Sequence, residues 1–178
     1  QYEFGPAEEV QLRSSINNFP LDTLAVLEHI NSGEYDLNAA DTYDKGFPAL
    51  DFLLYRGGDQ ATLDRFSVDP QASAYTQYVQ DVLGAMKTRI DHTVDAWING
   101  TYRTTFIENT GTAAGTSTSL IINSLNEHYE TIKRDKLGVP SGILTLGFTN
   151  PDKVEAYFSG ISKELAVEAL QAARAYYL

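Results

Sequence analysis

Apolar residues recur at helical spacing along most of this chain. Leu21, Leu24, Leu27 and Ile30 stand three apart and define one face of a helix. A longer stripe runs through Tyr75, Tyr78, Val79, Val82, Leu83, Met86, Ile90, Val94 and Trp97. A third takes in Ile121, Ile122, Leu125, Tyr129 and Ile132. Stripes this long and one-sided need other helices to cover them. Only Ile143 to Phe148 hints at the two-residue alternation of a strand, and it is too short and isolated to make a sheet. The pattern predicts an all-α fold: an up-and-down helical bundle of long helices with short connecting helices. The chain of 178 residues is read as a single helical-bundle region, 1–178.

Prolines and glycines punctuate the pattern. Gly5-Pro6 predicts a first helix running through Leu12 and Ile16 to about Asn18, because proline at the first helical position loses no hydrogen bond. Pro20 opens the second helix and Gly33 closes it. Residues 34 to 45, acidic at Glu34, Asp36, Asp41 and Asp44, form a loop on composition. Gly46 to Gly58 reads as a short apolar helix, opened by Pro48, closed by Gly57-Gly58 and carrying Asp51 in its first turn. A short helix follows around Ala61 to Phe66. Asp69 as cap and Pro70 at the first position start the longest helix, which ends at Asn99-Gly100. Its length of about 29 residues corresponds to ~43 Å. Tyr102, Phe106 and Ile107 mark a short amphipathic turn, and Gly111 to Ser119 is a run of small residues. The helix after that run ends near Leu137-Gly138, and Gly138 to Gly142 is a turn. Pro151 predicts a helix with Val154, Tyr157 and Phe158, and Leu165 to Leu178 a final alanine-rich one. The chain starts at a glutamine and stops inside that helix, so a trimmed or processed part of a longer chain is expected.

Charge narrows the partners. The net charge is −11, with lysine and arginine unclustered. Phosphate backbones are repelled, so no nucleic acid partner is expected. Cations and basic proteins are electrostatically easier partners. No apolar run approaches the ~20 residues of a membrane span. The absence of cysteine removes disulfides, thiolate metal sites and a cysteine nucleophile. His-Glu-x-x-His, Gly-x-Ser-x-Gly and Ser-x-x-Lys patterns are also missing. Asp36-x-Asn38 lacks the glycine and glutamate of a calcium loop. His92 and Asp95, three apart on the long helix, either hold a metal or belong to a solvated face with Arg89 and Asp91. His29 and His128 lack acids at helix-facing offsets. Among the eleven tyrosines, Tyr75, Tyr78, Tyr102, Tyr157, Tyr176 and Tyr177 fall mostly on apolar stripes, where the ring packs and the hydroxyl reaches the rim.

Five segments carry a further signal through their order. Gly5-Pro6-Ala7 follows an aromatic residue. Asn17 to Asp22 reads Asn-Asn-Phe-Pro-Leu-Asp. Then come Gly46-Phe47-Pro48-Ala49-Leu50-Asp51-Phe52-Leu53-Leu54, Tyr129-Glu130 to the Gly138-Val139-Pro140-Ser141-Gly142 turn, and Pro151 to Ser159. Together they resemble the imelysin family, also called the M75 peptidase-like family. The family signature is Gly-x-His-x-x-Glu, in which a histidine and a glutamate three apart on a helix face one way and share a metal. Here Gly46 matches the glycine, Pro48 stands at the histidine and Asp51 at the glutamate. The imidazole ligand is gone and the acid is one methylene shorter, so peptidase chemistry does not carry over. The resemblance implies helical bundles with a cleft between them. It also implies a bacterial envelope protein, in the periplasm or anchored at the outer membrane by a lipid outside this chain, and linked to iron uptake.

The expected function is a non-enzymatic imelysin-like protein that binds a ligand in an inter-helix cleft, with a link to iron uptake. The alternatives are a divergent metal-dependent peptidase using carboxylates, and an interaction module for a surface partner. The candidate ligand-binding residues are Gly46, Pro48, Asp51, Tyr55 and Arg56. No catalytic residue is assigned. Asp51 either meets a cation or substrate in the cleft, or is a first-turn acid favoured by the helix dipole. Asp51 and Glu9 are the candidate metal ligands, for a divalent or ferric cation. Glu3, Glu8 and Asp22 extend them to an oxygen-only cluster, given that the first helices flank the signature helix. The partner is a small ligand or an envelope protein.

Overall fold

A helix end leaves backbone groups without intrahelical partners, so where each helix starts and stops has a local cause. The computed structural model describes residues 3–40 and 42–177. Asp41, Leu178 and the side chain of Tyr177 lie outside the described residues. The helices are α1 (Pro6–Glu9), α2 (Leu12–Ile16), α3 (Thr23–Ser32), α4 (Gly46–Tyr55), α5 (Gly58–Ser67), α6 (Ala72–Ile98), α7 (Tyr102–Glu108), α8 (Ser117–Thr131) and α9 (Ser162–Tyr177). A π-helical segment, Ile132–Gly138, continues α8, and Pro151–Lys153 is a 3₁₀ turn. No strand occurs among the described residues, and the fold is all-α as the periodicity predicts.

Several starts and stops differ from the sequence expectation. The first helix breaks at Gln11, whose backbone is left-handed. The break lets α1 and α2 each lie against α6. Pro20 follows a cis peptide bond and opens no helix. Instead α3 starts at Thr23, because the Asp22 carboxylate accepts the amides of Leu24 and Ala25 at 3.1 and 3.0 Å. Asp69 accepts the Gln71 amide at 2.7 Å within a turn, so α6 starts later than the Asp69-Pro70 pair suggests. Pro151 produces only its 3₁₀ turn: Val154 is extended and Ala156 left-handed, which ends any helix there.

The core gathers on α4. Ala49, Leu50, Phe52 and Leu53 pack with Val26 and Ile30 of α3 and with Tyr75, Tyr78, Val82 and Met86 of α6. The outer positions of the same stripes stay in water: Leu24, Leu83, Ile90 and Val94 are exposed, as are Tyr157 and Tyr176. Trp97 instead stacks edge-on with Tyr102 and Phe106 where α7 folds back on α6. The chain's last third makes its own layer. α8, the π segment and α9 pack on one another, with Ile121 opposite Tyr176 in an antiparallel hairpin, and Ile132, Ala166 and Ala173 are buried.

Leu53 is wholly buried. Leu53→Ala should cost about 2–5 kcal/mol through lost transfer energy and the cavity left behind, read as a shifted urea midpoint. Two tyrosines give the fold an alkaline limit. Burial, then the hydrogen bond to Asp81, pushes the Tyr35 hydroxyl up to about 12 from an ordinary 10.0. Burial likewise raises Tyr78. A raised folded value means the neutral phenol is favoured by folding, so its contribution is complete below pH 10 and is lost as pH rises through about 12. Urea denaturation across that window should show falling stability, and Tyr35→Phe should reduce the fall.

Candidate functional site

The site is built on α4, which is apolar nearly all round and is fixed at both ends. At its start Tyr78 donates its hydroxyl to the Asp44 carbonyl at 2.5 Å. The buried Lys45 ammonium donates to the carbonyls of Leu37, at 3.2 Å, and Ala39. Gly46 has a positive φ of 73°, and a Cβ there would collide with the Ile16 carbonyl, so only glycine lets α2 press on this turn. At the far end Thr62 donates to the Leu54 carbonyl at 2.7 Å. Arg65 donates to the carbonyls of Leu53 and, at 2.8 Å, Arg56. These contacts satisfy the carbonyls that a helix end leaves free.

Asp51 is not a first-turn acid. α4 begins at Gly46, two residues before Pro48, which places Asp51 beyond the reach of the amino-terminal dipole. Its carboxylate turns instead to a distant segment. Oδ2 accepts the Phe158 amide at 2.9 Å and Oδ1 the Ser159 amide at 3.0 Å. Both amides lie in turns without a helical partner, and a carboxylate bridging two backbone donors makes strong, charge-assisted hydrogen bonds. The Phe52 and Phe158 rings meet edge-on beside them, 5.1 Å between centroids. Nearby the buried Glu155 accepts from the Asn17 amide group at 2.6 Å and pairs with the Lys136 ammonium. The stretch 154–160 is thereby tied to α2, α4 and the π segment.

Two cavities flank this junction. One of about 310 Å³ is walled by Pro20, Leu21, Pro48, Asp51, Lys153 and Tyr157. The other, of about 520 Å³, is largely apolar, walled by Phe47, Leu50, Leu54, Tyr55, Ile161 and Leu165, with Asn17 and Glu155 at one side. Of the residues singled out by sequence, Pro48 and Asp51 stand in both walls and Tyr55 in the larger. Arg56 does not join them. One residue further along a helix turns the side chain by about 100°, and its guanidinium lies 4.2 Å from the Phe52 ring centroid, on a depression shared with Arg65 and Asp69. Gly46 lies under α2 and lines neither cavity.

The expected oxygen cluster is not assembled. Glu9 sits beside His92 at 3.4 Å, Asp22 caps α3, Glu3 accepts the Arg13 amide, and Asp51 holds its two amides. Asp95 accepts from the Asn99 side chain on its own helix, while His92 faces Glu9. Among the described residues no three histidine, aspartate or glutamate side chains come together as metal ligands. Pro48 offers no donor, so the family's metal does not fit this donor set.

Sequence reasoning missed two features. The cleft wall contributed by Asn17, Glu155, Tyr157, Ile161 and Leu165 has no local signature, because these residues meet α4 only through the tertiary fold. His29 reaches Asp44 at 2.8 Å and faces the Glu34 carbonyl at 3.1 Å, next to the rings of Tyr35 and Tyr78. That pair fastens the acidic loop to α3. No helical offset reveals it, since the partners stand on different elements.

The family model described as Imelysin, Peptidase_M75, matches residues 1–178, the whole chain. No curated protein and no solved structure matches it. Asp51→Ala leaves the Phe158 and Ser159 amides without their acceptor. It should cost about 1.5–3 kcal/mol, the usual range for a hydrogen bond to a charged group, and open 154–160 to protease cleavage. Asp51→Asn keeps one acceptor oxygen and should lose less. Urea titration and timed proteolysis check both.

Proposed function

The chain belongs to the imelysin family, and from that membership we propose that it is a non-enzymatic binding protein that takes an apolar ligand in the cleft between α4 and residues 154–165. One observation carries the reading. The acid at the family's signature position is committed to two backbone amides, and the cavity beside it is walled mainly by apolar side chains. A carboxylate used this way shapes the cleft wall. Phe47, Leu54, Tyr55, Ile161 and Leu165 offer the lining that an apolar or aromatic body requires, with Asn17 and Glu155 to orient it.

Imelysin-family proteins are in general extracellular or envelope-associated. No helix among the described residues is long and apolar enough to cross a membrane. We place this protein in the bacterial periplasm or at the outer-membrane surface. We further propose a role in iron uptake, on the family resemblance alone. The donor set does not gather a bare cation, so iron would arrive as part of an organic complex with an apolar surface.

N-phenyl-1-naphthylamine, an uncharged apolar fluorophore, tests the cleft. It should bind with one-to-one stoichiometry, and Leu54→Asp, at a half-exposed wall position, should weaken it by about tenfold or more, the equivalent of one lost leucine contact. Equal binding by the variant contradicts the reading. Chelator-sensitive cleavage of an unfolded protein would favour a divergent M75-type peptidase.

A further inference from the structure

The stretch with strand-like alternation, Ile143 to Phe148, forms no strand. It lies in a loop of turns between the π segment and the 3₁₀ turn. From Leu137 to Pro151 no residue is charged, in a chain of which 21% is charged. Ile143, Leu146 and Phe148 are 80%, 95% and 75% exposed. They wall neither cavity at Asp51. The fourth apolar side chain, Leu144, leans on Gly138, where a Cβ would come within 2.8 Å of it. That contact seats the loop on the π segment, and the other three side chains project into solvent.

Two features set this loop apart from an ordinary water-facing connection. First, its polar groups turn inward. The Leu144 amide donates to the Gly138 carbonyl at 3.1 Å. Those of Thr145 and Gly147 share the Gly142 carbonyl at 3.2 and 2.9 Å, and that of Phe148 meets the Thr145 carbonyl at 3.0 Å. The Phe148 carbonyl accepts the Thr145 hydroxyl and, at 2.8 Å, the Asn150 side chain. The Asn150 amide closes the base on the Pro140 carbonyl at 3.0 Å. Water would satisfy such groups on an exposed loop, whereas hydrocarbon requires them paired internally. Second, Leu146 has a φ of 55°, in the left-handed region that suits glycine and asparagine and penalises a bulky side chain. The hydrogen bonds around it hold that strain, and what the strain achieves is the display of a bare leucine.

We propose that this loop inserts into the surface of an uncharged lipid bilayer. Burial of Ile143, Leu146 and Phe148 supplies the driving force. A charge-free tip whose amides are mostly paired enters the acyl boundary at little polar cost. The net charge of −11 is repelled by anionic headgroups, which selects zwitterionic lipid. No helix among the described residues is long and apolar enough to cross a membrane, so the contact is peripheral and reversible. A protein partner fits less well. It would gain from free backbone groups, and four of the six amides from Ile143 to Phe148 are already engaged. The loop is separate from the Asp51 cleft, and either site works without the other.

Cosedimentation with phosphatidylcholine vesicles tests this. The protein should bind them and stay bound at high salt, because apolar burial is not screened. Phosphatidylglycerol vesicles should bind less at low salt. Leu146→Asn should weaken partitioning by about tenfold or more, the equivalent of one leucine withdrawn from hydrocarbon. The same variant should melt no lower than the parent, since asparagine accepts the left-handed backbone, so binding is lost without loss of fold. No binding to phosphatidylcholine, equal binding by Leu146→Asn, release by salt or a preference for phosphatidylglycerol would overturn the proposal. A lower melting temperature in Leu146→Asn would mean that the leucine packs on the fold, and overturns it as well. Self-association without lipid, abolished by the same variant, assigns the loop to a second copy of the chain and equally overturns it.

Discussion

Two backbone amides, Phe158 and Ser159, lie in a stretch of turns and have no helical carbonyl to meet. The Asp51 carboxylate, more than a hundred residues earlier, accepts both. Without it the 154–160 stretch would face the apolar flank of α4 with unpaired donors, which is costly in a partly buried place. With it, the stretch is held at hydrogen-bond distance along α4, and cavities remain on either side. Glu155, seated on Asn17 and Lys136, secures the same stretch from below. The cleft is therefore a consequence of where one acid and one ion pair fasten an irregular segment.

That fastening needs a rigid partner, and α4 supplies one. Its core residues are shared with α3 and α6, side chains of α5 occupy its last carbonyls, and Tyr78 of α6 holds the loop that leads into it. The proline that stands in place of the signature histidine is compatible with this. It lies at the third helical position, where an amide would have no intrahelical acceptor. Loss of the imidazole thus costs the helix nothing, while the shortened acid gains a structural task.

Much of this was legible in the chain. The stripes on α3, α6 and α8 gave the helical class, and Gly46, Pro48, Asp51 and Tyr55 all fall on α4. What was not legible depends on partners far apart in sequence. Proline looked like the start of α4, yet Lys45, Gly46 and Tyr78 fix the true start two residues earlier, and this moved Asp51 out of the first turn. Leu24 belongs to an apolar stripe but is 71% exposed, since no element covers that edge among the described residues. The break at Gln11 and the π segment carry no composition signal. Arg56 and Glu9 looked like neighbours of Asp51 until the helical turn and the α1–α6 packing placed them elsewhere.

The central claim is that Asp51 acts as a backbone acceptor, not as a metal ligand. Amide-resolved nuclear magnetic resonance tests it most directly, by following the Phe158 and Ser159 signals while ferric or calcium ions are added. The account predicts two amides protected from hydrogen exchange whose positions do not move with either ion. Rapid exchange at both amides, with saturable shifts centred on Asp51 as metal is added, would contradict it.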